Sequence, residues 1–556
     1  MARPRPRPFA VLATAATFAA QLAAQHDTAA DPSTQPMYVA PRSDEAQKQI
    51  AGFQLPPGWT CTLAAAEPDL CNVVAFAFDG VGTCYVAETF RINDGVPDTR
   101  NFMQWKDEDL ACLTVADRVR KYEKHVAGKL AHYARHSERV RRLVDRDGDG
   151  VYDSATVFAD GFAELADGVA SGVLPVGGDV WFTNIPKLWR LRDSNGDGVA
   201  DERTAVHDGY GVHSSLIGHD LHGLIVGPDR RLYFSIGDRG FHIQQGDRTL
   251  AYPHEGAVLR CELDGSHLEV VHRGLRNPQE LAFDDSGDLF TGDNNSDGGD
   301  KARLVQILPG ADSGWRIGYQ WLSDRGTWNR DRLWEPRHPG QPTWIVPPIA
   351  NFADGPSGFV YDVGSLPERF RGCFLLCDFR GGASYSGVHA LRLLPSGAGH
   401  VLASSERLLW NALVTDVDFA PDGSVCVLDW VSGWNKTGKG RIYRLRHGGL
   451  QSSAQNHAAW LARDLVKESV DTLRTLLAHP DRRVRQEAQF ALVDQAAKDP
   501  VVVAMLDTLA ADRDQPRARR HAIQALGILG RRDVAAGKSL PKLLDDGDAE
   551  VRALTC

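Results

Sequence analysis

Methionine is scarce and positive charge is in deficit: the 556-residue chain has 4 Met, and 62 Lys plus Arg against 72 Asp plus Glu leave a formal net charge of -10. No bulk positive field is available for a polyphosphate backbone, so nucleic acid is excluded as the expected partner. The uncharged run from Phe9 to Ala20 falls short of the ~20 residues that a membrane-crossing helix needs. No Cys-x-x-Cys-His occurs, which excludes covalent c-type haem on this chain. The nine cysteines are odd in number and widely scattered, so no compact disulfide framework is drawn. A pair is expected first among Cys61, Cys71, Cys84 and Cys112, Cys373 and Cys377 are left open, and Cys84 and Cys426 stand in apolar strand-like runs that suit buried thiols. What the chain has in quantity is 54 Gly and 29 Pro, which punctuate short strands, within an ordinary globular balance of 43% apolar and 24% charged residues. Its length calls for at least two domains, the larger rich in β-structure.

Three arginines (Arg3, Arg5, Arg7) precede the apolar run, and small residues surround Ala24. This pattern predicts a signal peptide over residues 1–24, export to the periplasm or beyond, and a polar linker over 25–50.

A strand-turn-strand phrase then recurs six times, its copies ending at Glu88, Asn184, Ile236, Asp293, Asp378 and Asp429. Isolated hairpins cannot bury two faces, but hairpins packed radially can, so the phrase predicts a mainly β fold: a six-bladed β-propeller over 51–447. The acidic ends either mark solvated strand exits or converge on the central channel, where carboxylates favour a hard cation such as Ca²⁺. Glu108 to Asp145, charged and free of proline, reads as a helical excursion with a solvated face. After a linker at 448–457, amphipathic helices fill 458–556. Val484-Arg485, Ala518-Arg519 and Val551-Arg552 recur at spacings of 34 and 33 residues, which resembles HEAT-type repeats, and the last copy is cut short at Cys556.

Two loops carry the spacing of oxygen ligands around one cation. Asp145, Asp147, Asp149 and Asp153 form the first set, and Asp193, Asn195, Asp197 and Asp201 the second, with Val151 and Val199 as carbonyl donors. Thr156 and Thr204 stand where a full EF-hand has its bidentate Glu, so weak, structural Ca²⁺ sites are expected. A denser polar cluster, His219, Asp220, His222, Arg276, Asn277, Gln279, Asp293, Asn294 and Asn295, falls at strand-to-loop junctions of consecutive blades. Imidazole, guanidinium and amide groups at such junctions suit proton abstraction and anion binding.

At HDLHGL, GPDRRLYFSIGDRG and GLRNPQELAFD the chain resembles the soluble glucose/sorbosone quinoprotein dehydrogenases, six-bladed propellers that bind pyrroloquinoline quinone and Ca²⁺. With GDNNSDGGDKAR, PPIANFADGPSG, FLLCDFRGG and TGKGRIYRL, it is still more similar to a dehydrogenase family of planctomycete-type bacteria, described as membrane-bound, whose members often add HEAT repeats and a haem-binding CxxCH domain. The resemblance places the catalytic base on His219, with His222 as fallback and Asp220 between them. It places the quinone contacts on Arg276 and Asn277, beside Gln279, Asp293 and Asn294, with Glu280 replacing a family glycine. The backbone that supplies calcium falls on Asn295 and Ser296. Two functions follow. One is an exported dehydrogenase acting on a sugar, alcohol or aldose, with a separate cytochrome-type electron acceptor. The other is a Ca²⁺-stabilised propeller that binds polysaccharide, with a protein partner on the helical repeats. Five tryptophans (Trp315, Trp321, Trp328, Trp334, Trp344) suit sugar stacking and blade cores equally.

Overall fold

The computed structural model describes residues 37–338, 340–448 and 457–556. The signal-peptide segment, residues 25–36 of the first linker and residues 449–456 of the second lie outside the described residues.

Six sheets of four antiparallel strands succeed one another along the chain, the third with a short parallel strand added at its edge. Their first strands are Val73–Phe78, Gly172–Val176, Leu221–Val226, Pro278–Phe283, Pro356–Tyr361 and Val414–Phe419. Their second strands are Cys84–Glu88, Asp179–Asn184, Leu232–Ile236, Leu289–Asp293, Phe374–Asp378 and Val425–Asp429, which end on the six positions that the repeat singled out. Five of these second strands are buried at every residue, which is why they read as unbroken apolar runs rather than as alternating ones. An outer strand such as Glu202–Asp208 is mostly exposed. Each junction between neighbouring sheets, including sixth to first, has its own apolar cluster. The fold is therefore a six-bladed propeller, mainly β, followed by a helical segment.

The ring closes with a strand from outside the repeat. Trp59–Ala65 forms the outer edge of the sixth blade, pairing antiparallel with Arg441–His447 from Trp59 opposite His447 onward. Closing one blade with strands from both ends of the propeller leaves no open seam in the ring. The helix Glu45–Gln49 packs on this blade, where Tyr443 donates to the Ala46 carbonyl at 3.0 Å and Gln49 donates to Asp429 at 2.9 Å. That stretch is structured, contrary to the linker reading.

The recurring acids have a structural task that the repeat does not reveal. All four are fully buried, and three accept backbone N–H groups from the chain entering their own first strand: Glu88 from Cys71 at 2.8 Å, Asp293 from Arg276 and Asn277 at 2.9 and 2.7 Å, and Asp378 from Asp354 and Gly355 at 3.0 and 2.9 Å, while Asp429 accepts from the Val431 N–H at 3.0 Å. They are buried rather than solvated, and in three blades they pin the entrance. Beside them, the innermost strand is bulged in five of the six blades.

The excursion is only partly helical. Val115–Val126 is capped by a Thr114–Asp117 box, but Glu138–Val144 is the third strand of the first blade. Its charges are not all solvated, since Asp109, Arg118, Lys121 and Glu138 are buried. All nine cysteines are free thiols, so no pair forms among Cys61, Cys71, Cys84 and Cys112, nor between Cys373 and Cys377.

Helix Arg482–Ala496 lies across the hairpins that join first to second strands, here called the lower face. Arg483 donates to the Phe419 carbonyl at 2.8 Å, Gln489 to Pro228 at 2.7 Å and Gln486 to Val226 at 3.2 Å. Arg230 occupies a left-handed turn position (φ 62°) where the equivalent turns of four other blades carry Gly82, Gly287, Gly372 and Gly423. Its side chain pairs with Asp494 of the helix, so the strained residue is used in docking.

Between the helices and the innermost strands lies a cavity of about 770 Å³, which Glu280, Asp416 and Asp418 line. Burial, then mutual repulsion, raises the Glu280 carboxyl well above its ordinary value. Burial likewise raises Asp416, and Asp418 is pushed up to about 6. An unfolded carboxyl loses its proton near pH 4, so above that pH the folded state holds extra protons and stability falls as pH rises through the folded values. Glu280→Gln keeps an acceptor and removes the charge. It is expected to raise the Tm at pH 8 by ~2–4 °C, with little change at pH 5, in a thermal melt series.

Candidate active site

The loops above the start of each first strand, on the upper face, contain the polar cluster. Long insertions at 89–137, 237–255 and 308–349 rise around it. The last of these runs alongside the outer strand of the third blade through Ala311–Asp312, then brings Trp315 over the axis-side loops.

His219 is 4% exposed and its Nδ1 lies 2.8 Å from Asp238 Oδ1. Asp238 also accepts from Trp315 Nε1 at 2.9 Å and from Ser215 Oγ at 3.3 Å. Burial pushes this carboxyl up, but the His219 imidazole, Arg276 and the Trp315 N–H together outweigh it and hold it below its ordinary value. An ionised Asp238 fixes the Nδ1–H tautomer, which leaves the Nε2 lone pair without a partner among the described residues. Asp238 lies in the GDRG phrase but was not singled out by sequence, since one Asp among several gives no signal until the fold sets it against His219.

The Asp238 N–H donates to the Arg276 carbonyl at 2.7 Å, which ties the His–Asp pair to the next blade. Arg276 Nη2 pairs with Asp297 at 2.7 Å, Nε meets Gln320 at 3.2 Å, and the guanidinium lies 5.6 Å from the Trp315 ring centre. Its Nη1 and the Asn277 Oδ1 are buried with no hydrogen-bond partner among the described residues. Two orphaned polar atoms side by side in sequence are costly unless a ligand completes them.

Other predicted residues stand further back. Asp220 is fully buried in an ion pair with Arg239 at 2.8 Å, which removes it from direct chemistry. His222 has Gly218 O at 2.9 Å from Nε2 and Ser171 O at 3.4 Å from Nδ1, and burial pushes its pKa down, so it is a ring held in place by backbone carbonyls. Asp293 spends its oxygens on the Arg276 and Asn277 backbone and on an ion pair with Arg303, and it shapes the loop from behind. Gln279 reaches Gly218 O at 3.5 Å, and Asn294 accepts from the Asn295 N–H at 2.9 Å. At Asn295 and Ser296 the donor set does not fit a cation: Arg325 donates to the Ser296 and Asp297 carbonyls at 2.6 and 3.0 Å, so a guanidinium already supplies the positive charge. Trp315, Trp328 and Trp334 form a buried cluster, and Trp344 is exposed.

The two Asp-rich loops lie on the lower side, between third and fourth strands of the first and second blades. Asp145, Asp147 and Asp149 bring one oxygen each within 4.8 Å of one another. Asp153 and Asp201 close their loops by accepting from the Arg146 and Ser194 N–H groups at 2.7 and 2.9 Å. In the second loop Asp193 accepts from Gly196 and Gly198, and Asn195 from Asp197. Both loops reach to the preceding blade: Tyr152 N–H donates to Ala64 O at 2.9 Å and Ala200 N–H to Phe158 O at 2.8 Å.

Among the described residues no helix is long and apolar enough to cross a membrane. The chain is 30% identical over 126 residues to quinoprotein glucose dehydrogenase B of Acinetobacter calcoaceticus, a match covering 17% of this chain and only 26% of that protein's length. Similar solved structures include a PQQ-bound aldose sugar dehydrogenase of Streptomyces coelicolor, 18% identical, covering 71% of this chain and 99% of that one with a TM-score of 0.40. A soluble aldose sugar dehydrogenase of Escherichia coli is 14% identical over 70% of this chain and 99% of that one, with a TM-score of 0.41. Residues 470–556 match the HEAT repeats. The family model described as a domain of unknown function (DUF7133) matches residues 45–383, more than half of the sequence and most of the propeller, and the chain belongs to that family.

Proposed function

We propose that this protein is an exported quinoprotein-type dehydrogenase that oxidises a sugar or another alcohol or aldose. One observation carries the reading: a buried His219–Asp238 pair with a vacant Nε2 lone pair stands next to Arg276 and Asn277, whose Nη1 and Oδ1 are buried and unpartnered. Pyrroloquinoline quinone, when bound, supplies the two-electron acceptor, and the orphaned Arg276 and Asn277 atoms are the groups that would hold it. His219 Nε2 takes the proton of the substrate hydroxyl, while Asp238 fixes the tautomer and stabilises the imidazolium that forms. Trp315 and Ser215 hold Asp238 in turn. Electrons then pass on to a cytochrome-type acceptor. Reconstituting the full chain with the quinone, with and without Ca²⁺, tests this through absorbance and dye reduction over aldoses and sugar alcohols. A binding propeller is the second reading, favoured by the near-complete burial of His219, and it prevails if the quinone neither binds nor supports turnover.

Calcium belongs to the same proposal at the Asp145 and Asp193 loops, where it clamps the first blade to the sixth and the second to the first. Chelation is expected to lower the Tm, by an amount equivalent to ~3 kcal/mol if the ion is present at about a hundred times its Kd. Bound calcium measured alongside the melt checks this, and an unchanged melt with no bound ion rules it out.

A further inference from the structure

We propose that Asp284, Asp288 and His400 form a site for a first-row transition-metal dication that ties the fourth blade to the fifth beneath the helical segment. Asp284 and Asp288 flank the first hairpin turn of the fourth blade, and His400 comes from the long outer hairpin of the fifth. One carboxylate oxygen from each Asp and one nitrogen of His400 all lie within 4.8 Å of one another. The His400 side chain is 8% exposed, and its Nε2 is 3.8 Å from Asp288 Oδ2.

The tautomer follows from Gln306. Its Nε2 donates to Asp288 Oδ1 at 3.4 Å, so its Oε1 is the end that meets His400 Nδ1 at 3.2 Å. An amide oxygen only accepts, hence Nδ1 carries the proton and Nε2 presents its lone pair. That lone pair is aimed at two carboxylates and has no hydrogen-bond partner among the described residues. Phe290 fixes the ring edge-on, with centroids 5.0 Å apart. An imidazole lone pair facing two carboxyl groups is matched only when a proton or a cation lies between, and Gln306 orients a ligand from each blade as an outer-shell partner does. Imidazole with two carboxylates suits Zn²⁺ or Mn²⁺ rather than Ca²⁺ or Mg²⁺, which take oxygen alone. Metal–ligand distances near 2.1 Å put neighbouring ligand atoms ~3.4 Å apart, so a small side-chain rotation closes the site. The same turn is what the helices hold, through Arg485 paired with Asp285 at 2.6 Å and Arg520 donating to the Asp285 carbonyl at 3.4 Å.

The test uses tag-free full-length chain, stripped with chelator and kept in excess Ca²⁺ so that the Asp145 and Asp193 loops are saturated, then titrated with Zn²⁺. The expected result is one Zn²⁺ taken up per chain with a rise in Tm. His400→Gln and Asp288→Asn should abolish that uptake, Gln306→Leu should weaken it ~10–100-fold, and Asp145→Asn should leave it intact. If a ligand variant fails to fold by circular dichroism, Gln306→Leu decides. No uptake by the wild type, as a simple imidazolium–carboxylate pair would give, or uptake undiminished in the variants that fold, overturns the proposal.

Discussion

His219→Gln lowers turnover of the quinone-reconstituted protein ~10²–10⁴-fold while the fold, quinone content and calcium content stay unchanged. Glutamine fills the space of the imidazole and can still meet Asp238, but it has no lone pair that accepts a proton near neutral pH. Asp238→Asn should also be severe, because an amide in place of the carboxylate no longer imposes the Nδ1–H tautomer that His219 needs. His222→Gln should cost far less, since both of its ring nitrogens face backbone carbonyls, Gly218 O and Ser171 O. Steady-state dye reduction over a pH series separates these roles: losing the base removes the acidic limb of the profile, whereas a packing defect scales the whole curve. Equal losses at His219 and His222 would remove the chemical assignment.

Asp109→Ala is expected to cost ~3–5 kcal/mol in stability, the largest effect of any single surface-remote substitution proposed for this chain. Asp109 and Lys121 pair with side chains each 1% exposed. Burial pushes the Asp109 carboxyl up, but Lys121, His213 and the Ser214 N–H outweigh it, so the carboxyl falls to about 2. The wild-type contribution is therefore present above the ordinary carboxylate pKa near 4 and is lost as pH falls toward 2. Removing the carboxylate strands a buried ammonium and unpairs the Ser214 and Ser215 N–H groups, which lie at 2.8 and 3.1 Å. Because Ser215 Oγ also meets Asp238, the damage reaches the candidate active site. Chemical denaturation at pH 7 measures the loss, and a companion Asp109→Ala/Lys121→Met variant that recovers most of it would show that the stranded charge is the cause.

Much of the propeller was legible because its signal is local. A blade's first two strands are joined by a short turn, so apolar runs, turn residues and a terminal acid recur in sequence and can be counted without any long-range knowledge. The closing strand Trp59–Ala65 had no such signal, since its partner Arg441–His447 lies at the other end of the propeller. For the same reason Glu138–Val144 passed for helix: a charged third strand alternates too weakly to betray its period, and only pairing with Cys84–Glu88 and Ser154–Phe162 fixes it as strand.

At the candidate site, sequence by itself determined which residue types gather: His219, Arg276 and Asn277 lie just before the first strands of their blades, and a repeat fold must bring such strand entrances to one face. It also marked the Asp145 and Asp193 loops, whose spacing of side-chain oxygens is set within nine residues. Tertiary structure alone decided the roles, because burial and partner geometry set protonation and availability. It gave His219 an orienting carboxylate from Asp238, withdrew Asp220 into a pair with Arg239, turned the recurring acids into clamps on backbone N–H groups, and put Arg325 where a cation had been expected. A carboxylate reads the same in sequence whether it faces a ligand, a guanidinium or an amide proton, and only the packing of distant segments around it selects among the three.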